Sequence, residues 1–290
     1  MALSTIQRLA ARVGPAVIGL RSGSRGGSGV VVGPGIAVTL ARNLRGEELT
    51  VRLGASDIAA RVRGVDHTVD LAVLTFQGSS SPEPVSWATG DEVTIGSDVF
   101  ALADPAGRGL RVTAGAVASA PSGLRVPSGR LIDGAIEHTA PLPRGSGGGP
   151  LVDPDGQILG LNAIRRDEGL IVAWPAAVLR DRAVALARGT ATAPPRLGVA
   201  LVSAWQTRRL RAVVGLEPID GLLVRGIESD SPAEQAGILR GDVIVAVDQS
   251  PVTDPDTLYA ALDGAGREIT VRVVRGSQEL SLTTHIGGDR

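Results

Sequence analysis

A mostly β protein in two units is what this sequence predicts, and three observations carry the prediction. Residues 13 to about 174 are rich in glycine and valine, and their short apolar runs are broken by Gly, Pro and Asp at close spacing, the pattern of an all-β barrel or sandwich. From Pro175 to Arg188 the apolar period becomes that of a helix. "GTATAPP" (189–195) then reads as a linker, because small residues and two prolines build no core. The expected division is therefore 1–188, linker 189–195, and 196–290, a stretch long enough to fold as a small domain.

Taken in order, the N-terminal stretch suits a short helix, and Arg8 and Arg12 interrupt its apolar residues, so it does not read as a signal peptide. No uncharged apolar run reaches the roughly 18 residues of a membrane span, and the chain as written reads as cytoplasmic, with no membrane partner. In "ELTVRL" (48–53) Leu49, Val51 and Leu53 alternate with polar neighbours, as in a half-buried strand. "DLAVLTF" (70–76) is apolar on both faces and predicts a strand buried on both sides, while "FALADPAGRGLRVTAGAVAS" (100–119) reads as strand, turn, strand. Between Pro175 and Arg188, the residues Ala177, Val178, Asp181, Val184 and Leu186 suit an amphipathic helix with proline in its first turn and Gly189 past its end. In the second unit "GLLVRGI", "GDVIVAVD", "ITVRVVR" and "LSLTTHI" are strand-like. "SPAEQAGI" and "DPDTLYAALDGA" are helix-like, with Ser231 and Asp254 as N-caps, which makes an α+β sandwich with two helices.

Composition excludes several kinds of chemistry. Arginine, with no lysine, supplies 29 basic residues against 30 acidic ones, and no charge run marks a nucleic-acid partner. The absence of cysteine rules out thiol catalysis and thiolate metal sites. His67, His138 and His285 lack the spacing of metal ligands, so neither metal nor cofactor is expected.

Five segments occur in a telling order: "GSGVVVGPGIAVTLARNL", "VDLAVL", "ALADPAGRGLRVTAGAVAS", "GSGGGPLVDPDGQILGLN" and the C-terminal module containing "SPAEQAGILRGDVIVAVD". Together they resemble the HtrA (DegP-like) serine proteases over nearly the whole chain. The resemblance implies a chymotrypsin-like double β-barrel followed by a small α+β PDZ domain. It also implies a Ser-His-Asp triad, and there this sequence departs from the family. Asp70 stands where the aspartate begins the family's Asp-Leu-Ala-Val strand. Arg42 follows the Val38-Thr39-Leu40-Ala41 run at the place of the histidine, and a guanidinium that stays protonated is no general base. Gly147, in Gly145-Ser146-Gly147-Gly148-Gly149-Pro150, stands where the nucleophilic serine belongs. Loss of nucleophile or base alone lowers turnover in such enzymes by about a million-fold.

Substitutes within the chain are few. Ser146 lies one position early, and neighbouring residues in a tight loop point differently. His67 precedes Asp70 by three, and in an extended chain that odd separation puts them on opposite faces. His138, near the start of the loop, leaves a shifted Ser146–His138 pair as the fallback for a serine endopeptidase.

The remnants suggest binding. Gly145 and Gly147 retain the N–H groups of the family's oxyanion hole, where a carbonyl or carboxylate would dock, or else the glycines merely satisfy the turn. Arg42 is expected to pair with Asp70, the alternative being a solvated side chain. By resemblance, "PRLGVAL" (195–201) holds a peptide carboxylate on the backbone N–H groups of Arg196, Leu197, Gly198 and Val199, with the following strand pairing to the peptide. Leu258 and Leu262, at i and i+4, either line the side-chain pocket or belong to the core. The expected function is that of a pseudoprotease binding peptide C-termini or unfolded segments. The alternatives are the Ser146–His138 endopeptidase and a regulatory subunit in mixed oligomers with active relatives. The family's homo-trimer rests on aromatic residues near the N-terminus, and this chain has none before Phe76.

Overall fold

The structure is a computed structural model and describes residues 2–21, 26–44, 46–77, 82–89, 93–119, 122–125, 131–166, 169–190 and 195–286. Most of the expected linker, 191–194, lies outside the described residues. The chain divides into two compact units, one of residues 1–124 and 132–191 and one of residues 125–131 and 192–290.

The first unit opens with α1 (Ala2–Arg12). Leu9 is buried, and Arg8 and Arg12 donate to the carbonyls of Pro154 and Asp155, so the two arginines that break the apolar stretch anchor the helix to a turn. Strands β1 (Val17–Arg21), β2 (Gly27–Gly33), β3 (Ile36–Leu40), β4 (Glu48–Leu53), β5 (Ser56–Asp66) and β6 (Leu71–Phe76) form a closed barrel in the order β1-β2-β3-β6-β5-β4. Pairing of β1 with β4 seals it. Val51 and Leu53 of β4 point inward, and β6 is buried at every position but Thr75, as its two apolar faces predict.

Seven further strands form the second sheet: β7 (Asp98–Ala103), β8 (Arg111–Ala116), β9 (Ser122–Arg125), β10 (Leu131–His138), β11 (Pro150–Val152), β12 (Ile158–Arg165) and β13 (Ile171–Pro175), in the order β8-β7-β11-β12-β13-β10-β9. The sheet curls on itself, because Val117 just past β8 bridges His138 at the end of β10. Val99, Ala101, Leu151 and Ala173 fill its core.

Helix α2 (Ala176–Arg188) packs on β5 and β6 of the first barrel and on β12 and β13 of the second. Pro175 is its N-cap, and Gly189 takes the left-handed conformation that returns its N–H to the last carbonyls. The buried stripe is Ala176, Leu179, Ala183 and Leu186, whereas Ala177, Asp181 and Val184 face solvent. The apolar face is therefore turned from the one expected, because the inward stripe follows the three- and four-residue steps from Ala176 and leaves Val184 outside.

The second unit contains β14 (Val199–Val202), α3 (Ala204–Val213), β15 (Leu222–Ile227), α4 (Pro232–Gln235), β16 (Val243–Val247), β17 (Ser250–Pro251), α5 (Pro255–Asp263), β18 (Glu268–Arg275) and β19 (Gln278–His285). Its sheet runs β14-β15-β16-β18-β19, with β17 on β16. Ser231 and Asp254 cap α4 and α5 by accepting from the N–H groups of Glu234 and Thr257. Arg275 grips the buried Asp242 with two hydrogen bonds of 2.8 Å. Helix α3 adds a third helix to the two expected. It escapes a reading by apolar period because Trp205, Leu210 and Val213 are exposed, while Thr207 and Arg211 face inward.

Leu179 is fully buried where α2 meets the barrels. Leu179→Ala is expected to lower stability by about 2–5 kcal/mol, read as a shift of the denaturant midpoint.

Candidate functional site

Register between β3 and β6 builds one half of the site. Leu40 lies opposite Leu71, so Ala41 and Arg42, in the single 3-10 turn after β3, come up beside Asp70 at the start of β6. The Ala41 N–H donates to the Asp70 carbonyl at 3.0 Å. Residues 67–70 form a turn rather than extended chain, and Asp70 has φ 55°, so the odd-separation argument for His67 does not apply. His67 is exposed on this turn.

Arg42 meets Asp70 twice: its backbone N–H donates to Oδ1 at 3.0 Å, and its Nε lies 3.2 Å from Oδ2. Its Nη2 donates to the Ala163 carbonyl at 2.7 Å. Ala163 is the extra residue of a β-bulge, since pairing of β12 with β13 shifts between Asn162 and Ile164, and a bulge leaves a carbonyl in need of a donor. Burial pushes the Asp70 carboxyl above the usual aspartate range, and the Arg42 charge, the Arg42 N–H and the Trp174 indole pull it back. Neither Asp70 Oδ2 nor Trp174 Nε1 completes a hydrogen bond of regular geometry.

The glycine loop is the other half. The Gly147 carbonyl accepts from the Ser28 N–H and from Asn43 Nδ2, each at 2.8 Å. The Gly148 N–H donates to the Asn162 carbonyl at 2.7 Å, and the Gly149 carbonyl accepts from the Asn162 N–H and Nδ2 at 2.9 and 2.8 Å. Ser28, Asn43 and Asn162 have no local signal in the sequence, because the loop they hold is remote along the chain. Gly145 and Gly148 have φ of 86° and 90°, and a Cβ on Gly148 would lie 2.2 Å from the Ser28 carbonyl oxygen. On Gly149 it would lie 2.3 Å from the Leu102 oxygen. Gly147 differs: its φ is not positive, and the nearest atom to an added Cβ is Leu40 Cδ1 at 3.4 Å. Three of the glycines satisfy the turn, whereas a side chain fits at Gly147.

Ser146 and His138 are not joined. Ser146 is 4% exposed and its Oγ has no hydrogen-bond partner. His138 is fully buried, with Nε2 2.9 Å from Asn162 Oδ1. Asn162 Nδ2 donates to Gly149, so Oδ1 accepts, His138 carries its proton on Nε2, and Nδ1 is left bare. Burial lowers the His138 pKa to about 4, and the bond to Asn162 partly offsets this. The histidine braces the loop through Asn162.

Between the loop, β12 and the start of β13 lies a cleft of about 310 Å³. Leu142, Ile164 and Ile171 supply apolar wall, Arg144 and Arg165 also line it, and no acidic residue does. Among the described residues the N–H groups of Gly145 and Gly147 donate to nothing.

In the second unit, Leu197 is buried in the core, and Gly198 has φ 76° with its missing Cβ only 2.4 Å from Ser231 Cβ. The Leu197 and Gly198 carbonyls accept from Ala233 and Glu228, while among the described residues their own N–H groups donate to nothing. Arg196 pairs with Glu228, Val199 pairs with Ile227, and β14 is the edge of the sheet. Leu258 and Leu262 are 2% and 1% exposed and lie in the core with Leu222 and Val252. Their i, i+4 spacing serves packing and not an open pocket. No group of described residues is arranged to hold a metal, and no described helix is long and apolar enough to cross a membrane.

Comparison with known proteins agrees with this architecture. Residues 27–161 match the trypsin-like peptidase domain and residues 223–276 the PDZ domain. HhoA of Synechocystis sp., named as a serine protease, is 30% identical over 89% of this chain and 69% of its own. A "Probable periplasmic serine endoprotease DegP-like" of Rhizobium meliloti is 32% identical over 74% of this chain and 44% of its own. The chain spans about half the length of such DegP-like relatives. Their periplasmic names lend no support to the cytoplasmic expectation. A solved structure of the HtrA-type protease AlgW with a tripeptide superimposes with a TM-score of 0.60 at 26% identity, covering 97% of this chain and 96% of that one.

Gly147→Ser is expected to stay within about 1 kcal/mol of the parent, because the residue gains no clash and the unfolded chain loses freedom. Gly149→Ser, driven into the Leu102 carbonyl, is expected to cost roughly 1–3 kcal/mol; equal denaturant midpoints for the two variants would contradict this loop geometry. His138 adds a pH dependence. With a folded pKa below the unfolded value, its contribution is complete above about pH 6.5 and is lost as pH falls through about 4, a change on the order of 3 kcal/mol. Unfolding titrations from pH 7.5 to 3.5 should show that acidic limb, flattened in His138→Gln.

Proposed function

The chain belongs to the HtrA family of serine proteases, with a trypsin-like peptidase domain followed by one PDZ domain, and from that premise we propose that it is a non-cleaving member that binds peptides. One observation carries this reading. At the place of the histidine, Arg42 spends its guanidinium on Asp70 and the Ala163 carbonyl, and facing it Gly147 offers no side chain. A permanently protonated group cannot take a proton, and no hydroxyl is there to supply one. The oxyanion-hole N–H groups of Gly145 and Gly147 remain, so the cleft keeps means of binding without means of cutting.

The PDZ domain supplies the other binding surface. The free edge of β14 accepts a peptide strand by β-augmentation, and the N–H groups of Leu197 and Gly198 at its head take the terminal carboxylate. Exposed C-termini and strand-forming segments of unfolded proteins are the ligands this edge suits. The tripeptide held by AlgW is in keeping with that class. Division of labour follows the proposed domains, 1–188 and 196–290.

A shifted Ser146–His138 pair draws no support from the geometry, since His138 is committed to Asn162 and Ser146 Oγ has no partner.

Incubation of the full chain at high concentration with an unfolded protein such as casein tests the proposal. The expected result is no cleavage above the background of Ser146→Ala and His138→Ala, and none from Gly147→Ser alone, because absence of the base by itself costs about a million-fold. Arg42→His combined with Gly147→Ser restores the triad around Asp70 and is expected to cleave. Cleavage by the parent that either background variant abolishes would overturn the reading.

A further inference from the structure

We propose that the second unit pairs with a second copy of itself along strand β19, the two strands running antiparallel about Leu282. The pairing is independent of whether the first unit cleaves.

β19 (Gln278–His285) is an edge of its sheet, at the opposite end of the strand order from β14. Its phase on β18 is fixed at both ends: Arg275 and Gln278 close the hairpin across a two-residue turn, and the Ile286 N–H donates to the Arg267 carbonyl at 2.8 Å. Alternation along an antiparallel pair then sends the even-numbered N–H and C=O groups of β19 to β18 and aims those of Glu279, Ser281, Thr283 and His285 away from the sheet. Among the described residues nothing bonds these outward groups. Exposed edges are ordinarily kept from pairing by shortness, a bulge, a cover, or proline and lysine in the strand. This edge is eight residues long, its register with β18 runs without a shift, and "QELSLTTH" contains neither proline nor lysine.

The order of residues selects a second copy as the occupant. Two copies related by a two-fold axis present this edge to itself antiparallel. With Leu282 on the axis, all the outward backbone groups meet, Glu279 opposite His285 of the second copy and Ser281 opposite Thr283. A slip of two residues leaves one end of the strand unpaired, and a slip of one sets outward groups against inward ones. The side chains agree with this register. Within each copy Glu279 meets Arg272 at 3.4 Å and His285 meets Glu268 at 3.4 Å, so the seam continues a row in which every acid lies beside a base and no like charges are opposed. On the other face Leu280 and Leu282, which pack against the core but are only partly buried, extend the apolar underside from one copy to the next. The joined sheet leaves β14 free at each far end, so the dimer presents both peptide-binding edges at once.

Cysteine pairs read this register in the full chain, which has no cysteine of its own. Ser281→Cys and Thr283→Cys stand at exposed positions and are expected to fold as the parent does. Mixed under mild oxidation, the two variants are expected to form a disulfide-linked dimer at least about tenfold faster than either alone. The reason is distance: residues 281 and 283 lie directly opposite at about 5.5 Å between Cα atoms, whereas each is about 7–8 Å from its own copy, beyond the reach of a disulfide. Backbone amide exchange gives a second reading. Exchange at Glu279, Ser281, Thr283 and His285 is expected to slow as protein concentration rises, and Thr283→Pro, which removes an N–H that its own sheet does not use, is expected to abolish that slowing. Equal coupling in the mixture and in the single variants, or faster coupling of one variant to itself, would overturn the proposal. So would exchange that stays fast at every concentration, or slow exchange independent of concentration, the mark of another segment of the same chain on this edge.

Discussion

A carboxylate at 8% exposure needs a positive neighbour, and Asp70 occupies such a position because the β3–β6 register leaves it nowhere else to go. Its backbone is held by the Ala41 hydrogen bond at a positive φ, and its carboxylate lies largely out of water. Arg42 answers the charge from the next turn. Because its Nη2 also satisfies the bulged Ala163 carbonyl, the pair ties the first barrel to β12 of the second.

The glycine loop shows the same separation of framework from chemistry. The hydrogen bonds that shape it come from Ser28, Asn43 and Asn162, and none uses the side chain at position 147. A glycine there relieves no clash, unlike Gly145, Gly148 and Gly149, whose backbone or surroundings exclude a Cβ. The loop therefore takes its shape without a side chain at position 147.

Local electrostatics matter more here than net charge. The whole chain is close to neutral, yet the cleft is lined by arginine and no acid. His138, the histidine nearest to the loop in sequence, is held neutral by burial and spends its only donor on Asn162. Its contribution is to keep the loop in place, and its burial holds its titration well below neutrality.

Much of the architecture was legible in residue order alone. Alternation in "ELTVRL", the doubly apolar "LAVLTF", the caps Ser231 and Asp254, and Gly189 ending α2 are local effects of side-chain periodicity and backbone preference, so they survive without tertiary context. The presence of Arg42 and Gly147 at two motif positions was equally plain, since identity at a motif position is a property of sequence. Tertiary structure alone decided the rest: that Arg42 reaches both Asp70 and Ala163, that Leu258 and Leu262 belong to the core, that α3 exposes its large apolar residues, and that a Cβ fits at Gly147 but not at Gly149. Each of these depends on which atoms from distant segments come within a few ångströms, and that is set by strand register and packing, to which the local order of residues is blind.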